Sequence, residues 1–137
     1  MKTIRDVMSD EPVVFPTHAT IADAARVMRD KDIADVIVAD DGHFVGLLTD
    51  RDIVVRTIAE GYDPKAVQVG DAMSRDVATL SPDSTVDELA AMMREGAVRR
   101  IPVLEGDRPV GIVSIGDLAI FETQSALADI SERPPNT

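Results

Sequence analysis

The chain has 137 residues, a formal net charge of −11, 45% hydrophobic and 28% charged residues, and no cysteine. This composition predicts a soluble globular protein without disulfides or a zinc–thiolate site, and the negative charge disfavours nucleic acid and anionic membranes as partners. No apolar run approaches the roughly 20 residues that cross a bilayer, and the N-terminal segment lacks the apolar stretch of a signal peptide. We therefore expect a cytoplasmic location.

An internal duplication organises the chain. When the sequence is shifted by 65 positions, the same residues recur without a gap over about fifty positions. Matched pairs include Asp6 and Asp71, Met8 and Met73, Ser9 and Ser74, Met28 and Met93, Gly46 and Gly111, and Asp52 and Asp117. Because a copy of about 60 residues would bury too little surface to be stable alone, we expect the two copies to pack as one pseudo-symmetric domain.

The first copy contains five predicted elements. A short strand at 13–15 precedes an amphipathic helix, which begins after the capping residue Thr20 and places apolar residues at 21, 24, 25 and 28 on one face. Two segments rich in β-branched residues, 35–39 and 43–49, flank a turn and predict a hairpin. A second helix follows from 50 to about 60.

The second copy repeats this order, with a short strand at 78–80, an amphipathic helix after Thr85, hairpin strands at 100–104 and 108–114, and a helix from 115 to about 122. The predicted fold class is therefore α/β (α+β), with tandem β-α-β-β-α repeats related by a pseudo-two-fold axis. The predicted boundaries are repeat 1 at 1–65, a connector at 61–68, repeat 2 at 66–124, and a C-terminal helix end with a flexible tail at 125–137.

One motif recurs where the second hairpin strand meets the second helix of each copy. It consists of a glycine, two apolar residues, a hydroxyl residue and, three positions later, an aspartate: Gly46, Thr49 and Asp52 in the first copy, and Gly111, Ser114 and Asp117 in the second. A hydroxyl and free backbone N–H groups at a helix N-terminus favour an anion, and the carboxylate suits both hydroxyls of a ribose. The motif therefore suits a ribose phosphate, with the glycine allowing a flat ligand to approach the strand.

The same motif also has a purely structural interpretation. Thr-x-x-Asp is a capping box, in which the hydroxyl and the carboxylate satisfy backbone N–H groups at the start of a helix. The chain uses similar patterns at Thr20 and Thr85, where no ligand is predicted. The sequence alone leaves both interpretations open.

Together these features resemble a CBS domain pair, also called a Bateman module. The resemblance rests on the duplicated unit, the Asp-x-Met-Ser lead-ins at Asp6 and Asp71, the Val-Arg-Arg-Ile-Pro-Val segment at 98–103 and the two motifs, and it covers roughly residues 3–122. The chain is similar to small stand-alone bacterial members of this family. Its segments 48–54 and 59–64 are similar to the actinobacterial hypoxic response type.

The resemblance implies a regulatory, non-catalytic sensor that requires no cofactor and binds an adenosine-containing ligand in clefts between the repeats. AMP or ATP is the expected ligand, with S-adenosylmethionine or NAD as alternatives. The family pattern assigns the first cleft to Leu47, Thr49, Arg51, Asp52, Val77, Ala78, Val98, Arg99 and Arg100. It assigns the second cleft to Pro12, Val13, Ile33, Ala34, Asp35, Ile112, Ser114 and Asp117.

Charge distinguishes the two predicted clefts. Arg99 and Arg100 in the first correspond to Ala34 and Asp35 in the second. An arginine stabilises a nearby phosphate and a carboxylate repels it, so we expect the first cleft to hold the nucleotide. The second cleft is expected to prefer an adenosine without phosphates or a cationic ligand such as S-adenosylmethionine. The alternative is that both arginines lie at a solvated strand end and pair with carboxylates.

The remaining expectations concern partners and activity. The second helix of each copy carries apolar residues at 53–55, 58, 118, 120 and 121. Their apolar surface is larger than packing between the two repeats would cover, so a homodimer is predicted. No nucleophile stands at a recognisable spacing from a base, which disfavours an enzyme. We expect no nucleic-acid or membrane partner, and the sequence does not name a regulated protein. The alternative function is a structural or interaction module whose clefts hold no physiological nucleotide.

Overall fold

The structure, a computed structural model, describes residues 2–96 and 98–132. Its elements in chain order are a 3-10 turn at Ile4–Asp6, β1 (Val14–Phe15), α1 (Ile21–Lys31), β2 (Asp35–Asp40), β3 (His43–Thr49), α2 (Asp50–Ile53), a π-helical turn at Val54–Ile58, α3 (Val69–Ala72), α4 (Val86–Gly96), β4 (Arg100–Glu105), β5 (Arg108–Ser114) and α5 (Ile115–Glu132). The predicted mixed α+β architecture of two repeats is confirmed. The last part of the predicted tail, 133–137, lies outside the described residues.

The sheets of the two repeats differ because of one proline. In repeat 1, β1 pairs in parallel with β2, and β2 pairs antiparallel with β3; the described sheet of repeat 2 contains β4 and β5. The prediction of a full strand at 78–80 is wrong, since Leu80 alone forms a parallel bridge. In repeat 1 the Ile37 N–H donates to the Val13 carbonyl at 2.9 Å. The residue equivalent to Ile37 is Pro102, which has no N–H to donate.

The second helix of each repeat also departs from the prediction. In repeat 1 the single turn α2 is followed by the π-helical turn Val54–Ile58, so the hydrogen-bond pattern changes inside the predicted helix. In repeat 2, α5 continues to Glu132 instead of ending near 122, because residues 123–132 contain no glycine or proline to stop it. Among the described helices, none combines the length and the apolar character needed to cross a membrane.

The first helix of each repeat, α1 or α4, forms and is capped as predicted. Thr20 Oγ1 accepts a hydrogen bond from the Asp23 N–H at 3.1 Å, and Thr85 Oγ1 accepts one from the Glu88 N–H at 3.1 Å. Each cap satisfies a donor that the first helical turn leaves unpaired, which stabilises a helix by about 1 kcal/mol. The apolar face is buried in both helices: Ile21, Ala24 and Met28 in α1, and Val86, Leu89 and Met93 in α4.

The lead-in segments, residues 3–9 and 68–74, are exchanged between the repeats. Ile4 is fully buried in the core of repeat 2, although it precedes repeat 1 in the sequence. Conversely, Val69 and Met73 lie in the core of repeat 1. Burying one apolar side chain of this size contributes about 1.5–3 kcal/mol. Because each core is completed by the lead-in of the other repeat, the two cores depend on each other for stability.

Thr57, in the π-helical turn, carries a hydroxyl that is expected to destabilise the fold. The residue is fully buried, and its Oγ1 has no hydrogen-bond partner within the described residues. We expect Thr57→Val, which keeps the shape and removes the hydroxyl, to raise the free energy of unfolding in urea by about 1 kcal/mol. Thr17→Val is the matched control, since the Thr17 hydroxyl donates to Asp40 at 2.9 Å and its loss should lower stability. A loss of stability in both variants would contradict this interpretation.

Candidate ligand-binding clefts

The repeated motif forms a reciprocal cap at the start of α2 and of α5. In repeat 1 the Thr49 N–H donates to Asp52 Oδ2, and the Asp52 N–H donates to Thr49 Oγ1, both at 3.0 Å. In repeat 2 the Ser114 N–H donates to Asp117 Oδ2 at 2.9 Å, and the Asp117 N–H donates to Ser114 Oγ at 3.1 Å. The capping interpretation is therefore correct for both copies. It leaves one carboxylate oxygen of each aspartate for a further partner.

That second oxygen has different surroundings in the two copies. Asp52 is buried, and its Oδ1 accepts a hydrogen bond from Ser74 Oγ at 3.1 Å and lies 3.9 Å from Arg56 Nε. Asp117 is half-buried, and within the described chain no hydrogen bond reaches it from Ser9, the residue equivalent to Ser74. The Asp117 carboxylate is thus the better placed of the two to accept hydrogen bonds from a ligand.

The motif glycines lie where the two repeats pack against each other. A Cβ at Gly46 would lie 2.5 Å from the Ser74 carbonyl oxygen, and one at Gly111 would lie 2.8 Å from the Ser9 carbonyl oxygen. The exchanged lead-ins therefore occupy the space that was predicted to admit a flat ligand, and that prediction is wrong. Glycine is required here because the backbone of the other repeat approaches so closely.

Two adjoining cavities lie in the second cleft, with volumes of about 540 Å³ and 420 Å³. They share the lining residues Ser9, Ile33, Asp35 and Ile112. Every residue predicted for the second cleft lines one or both of them: Pro12, Val13, Ile33, Ala34, Asp35, Ile112, Ser114 and Asp117. The exchange of lead-ins brings these residues together, because Ser9 pairs with Ile112 of the other repeat through hydrogen bonds of 2.9 and 3.1 Å.

The residues predicted for the first cleft are more enclosed or more dispersed. Leu47 and Asp52 are buried; Thr49, Val77 and Val98 are half-buried; and Arg51, Ala78 and Arg99 are exposed. The Leu47 backbone exchanges two hydrogen bonds of 2.9 Å with Ser74, and Ser74 Oγ also donates to Asp52. Neither cavity of the second cleft is lined by any of these residues. Ligand binding in the first cleft therefore stays a prediction.

Arg100 lines the larger cavity of the second cleft. Its Nε is 2.7 Å from Asp35 Oδ2, and both side chains line the larger cavity. The N–H bond does not point at the oxygen, so this contact is an ion pair without a well-aligned hydrogen bond. Asp35 and Arg100 are equivalent positions of the two repeats, and the pair therefore lies close to the pseudo-two-fold axis. The predicted pairing of an arginine with a nearby carboxylate holds for Arg100. Binding of a ligand phosphate by Arg99 or Arg100 in the first cleft stays a prediction.

Three polar residues of the larger cavity were not predicted from the sequence: Ser9, Asp32 and Asp50. Ser9 belongs to the exchanged lead-in, and its equivalence to Ser74 was the only sequence signal for it. Asp32 ends α1 in the left-handed conformation, with φ of 54°, immediately before the predicted cleft residues. Asp50 follows Thr49 in the motif of repeat 1, yet it lines the cavity that contains the motif of repeat 2.

Comparison with known proteins identifies the family. A model of the CBS domain matches residues 4–57 and 69–122, and thus both repeats. The chain belongs to the CBS-domain family. The CBS domain-containing protein YhcV of Bacillus subtilis is 31% identical over 138 residues, which cover 97% of this chain and 98% of YhcV. Hypoxic response protein 1 of Mycobacterium tuberculosis is 37% identical over 120 residues, 87% of this chain and 84% of that protein. The resemblance predicted from the motifs is confirmed.

Solved CBS structures have the same fold. Hypoxic response protein I with two coordinated zinc ions superposes with a TM-score of 0.78 at 35% identity, covering 88% of this chain and 99% of that one. The CBS domain pair of MJ0100, in complex with 5′-methylthioadenosine and S-adenosyl-L-methionine, superposes with a TM-score of 0.81 at 25% identity, covering 91% and 98%. CBS pairs are regulatory, non-catalytic modules. In the described part of this CBS pair, no three His, Cys, Asp or Glu side chains are grouped to hold a metal ion.

Carboxylates dominate the electrostatics of the larger cavity of this CBS pair. Asp32, Asp35, Asp50 and Asp117 line it together with one cation, Arg100. Burial raises the pKa of Asp35 to about 6; the Arg100 guanidinium opposes this rise, and the Asp50 carboxylate adds to it. The cavity therefore disfavours a ligand with several negative charges, and Asp35 changes its charge close to neutral pH.

Asp35→Asn is expected to remove part of the pH dependence of CBS-pair stability. Because the pKa of Asp35 is raised to about 6 in the folded state, the native protein binds more protons than the unfolded chain between about pH 4 and pH 6. The stability linked to this carboxyl is therefore present at low pH and lost as the pH rises through about 6. The Tm of the wild type should fall relative to that of Asp35→Asn over this window, whereas Asp50→Asn, which removes a charge that adds to the raised pKa, should reduce the effect without abolishing it. A wild-type Tm that runs parallel to that of Asp35→Asn would contradict the assignment.

Proposed function

We propose that this CBS pair is a regulatory module that binds an adenosine-containing ligand in the second cleft. The observation that carries the proposal is the pair of adjoining cavities, of about 540 Å³ and 420 Å³, beside the Asp117 carboxylate. Volumes of this size suit a small molecule, and a pocket with apolar walls and a few polar groups is the usual form of a binding site. The complex of the related MJ0100 CBS pair with two adenosine-containing ligands supports the same class of ligand.

The lining of the cleft suits the parts of an adenosine. Val13, Ile33 and Ile112 provide apolar walls between which a purine ring can be held by dispersion contacts. Asp117 keeps one carboxylate oxygen for the ribose hydroxyls, because its other oxygen caps the Ser114 N–H. The cap itself fixes the orientation of the carboxylate before the ligand arrives, which reduces the entropic cost of binding.

Charge selects among the candidate ligands. A phosphate in the larger cavity would face four carboxylates and one arginine that is already paired, so AMP, ATP and NAD are disfavoured there. An adenosine without phosphates avoids this repulsion, and the sulfonium and amino groups of S-adenosylmethionine are attracted. We therefore rank adenosine-type ligands and S-adenosylmethionine above AMP and ATP for the second cleft, which is the preference expected for this cleft from the sequence.

Calorimetry tests the proposed function directly. Small molecules released from the purified protein are first identified by mass spectrometry, and the stripped protein is then titrated with adenosine, S-adenosylmethionine, AMP, ATP and NADH. We expect binding of adenosine or S-adenosylmethionine with one strong site per chain, and at least about tenfold weaker binding of ATP because of its added negative charge. Absence of heat with all five ligands would favour the alternative function, a structural or interaction module with empty clefts. The capping of both motifs and the internal partners of Asp52 are the observations that favour this alternative.

A homodimer remains the proposed assembly, on a smaller set of residues than the sequence suggested. Ile53 and Leu118 are buried in the two cores, but Val54, Ile58 and Ile120 are each more than half exposed. An apolar surface of this kind favours association of two chains. The cytoplasmic location also stays a prediction.

Light scattering is expected to give twice the chain mass of 14.7 kDa at micromolar concentration. The variant Ile58→Glu, combined with Ile120→Glu, should shift the protein to monomer because the interface would then contain unpaired charges. Circular dichroism would show whether the double variant is folded, since both positions are on the surface. A wild-type mass equal to one chain would exclude this dimer.

A further inference from the structure

We infer that Asp35 determines the ligand class of the second cleft by holding Arg100 away from a ligand phosphate. The inference rests on the proposed function, namely that this cleft binds an adenosine-containing ligand. It concerns a residue pair of this chain, Asp35 with Arg100, whose members are equivalent positions of the two repeats. The cavity thus contains an arginine, Arg100, that could bind a phosphate but is already paired with Asp35.

The geometry of the pair carries the inference. Arg100 Nε lies 2.7 Å from Asp35 Oδ2, and both side chains line the larger cavity. Among the described residues that line this cavity, Arg100 is the one cation. The Asp35 side chain is 9% exposed and that of Arg100 is 38% exposed, so the carboxylate is the fixed partner and the guanidinium is the one with room to move. Once released, the guanidinium would supply the paired donors that a phosphate prefers.

Asp35 is expected to keep Arg100 paired while its carboxylate is charged, because this carboxylate has little access to water. A buried carboxylate without well-aligned hydrogen bonds depends on its ion pair for stabilisation, and breaking such a pair leaves an uncompensated charge. A phosphate that recruited Arg100 would therefore have to replace this pair and would also approach Asp35 itself. An adenosine without phosphates occupies the cleft without disturbing the pair.

Protonation of Asp35 has the same effect as removing its charge. The charged and titratable groups that face Asp35 around the two cavities come from the segment before β1, the end of α1, α2, β4 and α5: Glu11, Lys31, Asp32, Asp50, Arg100 and Asp117. Burial and the Asp50 charge favour the neutral form of Asp35. As the pH falls through about 6, Arg100 is expected to become available to a ligand, so tolerance for phosphate should increase.

Calorimetry with AMP and adenosine on wild type and Asp35→Asn tests the inference. At about pH 7.5 we expect the affinity ratio of AMP to adenosine to be about tenfold higher in Asp35→Asn, with adenosine affinity changed less than about threefold. Asp50→Asn is the matched control, because it removes one carboxylate of the same cavity that does not contact Arg100. Its effect on the ratio should be small and should vanish in high salt. Near pH 5 the affinity ratios of wild type and Asp35→Asn should converge. Because both proteins are measured at the same pH, the titration of AMP itself affects both ratios equally.

The outcomes separate the inference from the proposed function. Equal ratios in Asp35→Asn and Asp50→Asn would overturn the inference, since net charge alone would then explain the selectivity. A ratio in Asp35→Asn equal to that of the wild type at about pH 7.5 would overturn it as well. Failure of the proposed function is a separate outcome, in which neither adenosine nor S-adenosylmethionine binds any of the three proteins, and the inference would then be overturned with it.

Discussion

Gly46→Ala is expected to lower the free energy of unfolding by about 3 kcal/mol. The added Cβ would lie 2.5 Å from the carbonyl oxygen of Ser74, which is a backbone atom and cannot move without a shift of the exchanged lead-in. That carbonyl accepts the Leu47 N–H at 2.9 Å, and the Ser74 N–H donates to the Leu47 carbonyl at 2.9 Å. The substitution therefore strains or breaks both hydrogen bonds of the seam. Urea denaturation followed by circular dichroism measures the effect.

Gly116→Ala is the matched control for Gly46→Ala. Gly116 lies in the first turn of α5, and a Cβ there would meet its nearest atom, Ser114 Oγ, at an ordinary contact distance of 3.5 Å. Because alanine favours a helix more than glycine, this change should raise stability by up to about 1 kcal/mol. If both substitutions had the same small effect, the close approach of the lead-in to β3 would be contradicted.

Asp117→Asn is expected to weaken binding of adenosine by more than about tenfold, because the ribose hydroxyls lose a charged acceptor. Asp52→Asn should leave the affinity within about twofold, since Asp52 is buried and its carboxylate binds Ser74. The two substitutions are chemically identical and occupy equivalent positions of the two repeats. Calorimetry on both variants therefore compares the two clefts directly.

Stability provides an independent readout for the same pair of variants. Asp52→Asn should lower stability more than Asp117→Asn does, because Asp52 accepts a hydrogen bond from Ser74 of the lead-in in addition to capping α2. A large loss of adenosine affinity in Asp52→Asn, with none in Asp117→Asn, would move the ligand to the first cleft. That result would place adenosine in the cleft that the sequence predicts for a nucleotide with phosphates.

The features predicted correctly from the sequence are those that depend on local chemistry. The caps at Thr20 and Thr85 and the apolar faces of α1 and α4 follow from residues within one or two helical turns. The hairpins follow from alternating strand residues around short turns, and a duplication is visible without any structure. These signals are sufficient for the two-repeat fold, whereas the residues of the second cleft were expected from the family resemblance.

The errors concern contacts between residues distant in the sequence. The glycines of the two motifs were interpreted from their own repeat, whereas Gly46 is required by Ser74 of the other lead-in. The strand predicted at 78–80 was inferred from the pseudo-symmetry, and the missing N–H of Pro102 breaks that symmetry. The sequence pattern of one repeat does not show which backbone segment of the other repeat lies against it.

The assignment of Arg100 to one of the two clefts depends on a contact that the sequence does not show. Position 100 was assigned to the first cleft, yet Arg100 lies near the pseudo-two-fold axis, where a long side chain can reach either cleft. The buried carboxylate of Asp35 attracts it to the second. An equivalence between positions identifies which residues are related but not which of two neighbouring sites a flexible side chain enters.

An amide NMR titration of the wild-type protein with adenosine distinguishes the two clefts, because each cleft has its own set of backbone signals. Saturating adenosine is expected to shift the amides of Ile33, Ile112 and Asp117 in the second cleft. The amides of Thr49 and Val77 in the first cleft should change little. Shifts confined to the first cleft, or no shifts at millimolar adenosine, would contradict binding of adenosine in the second cleft.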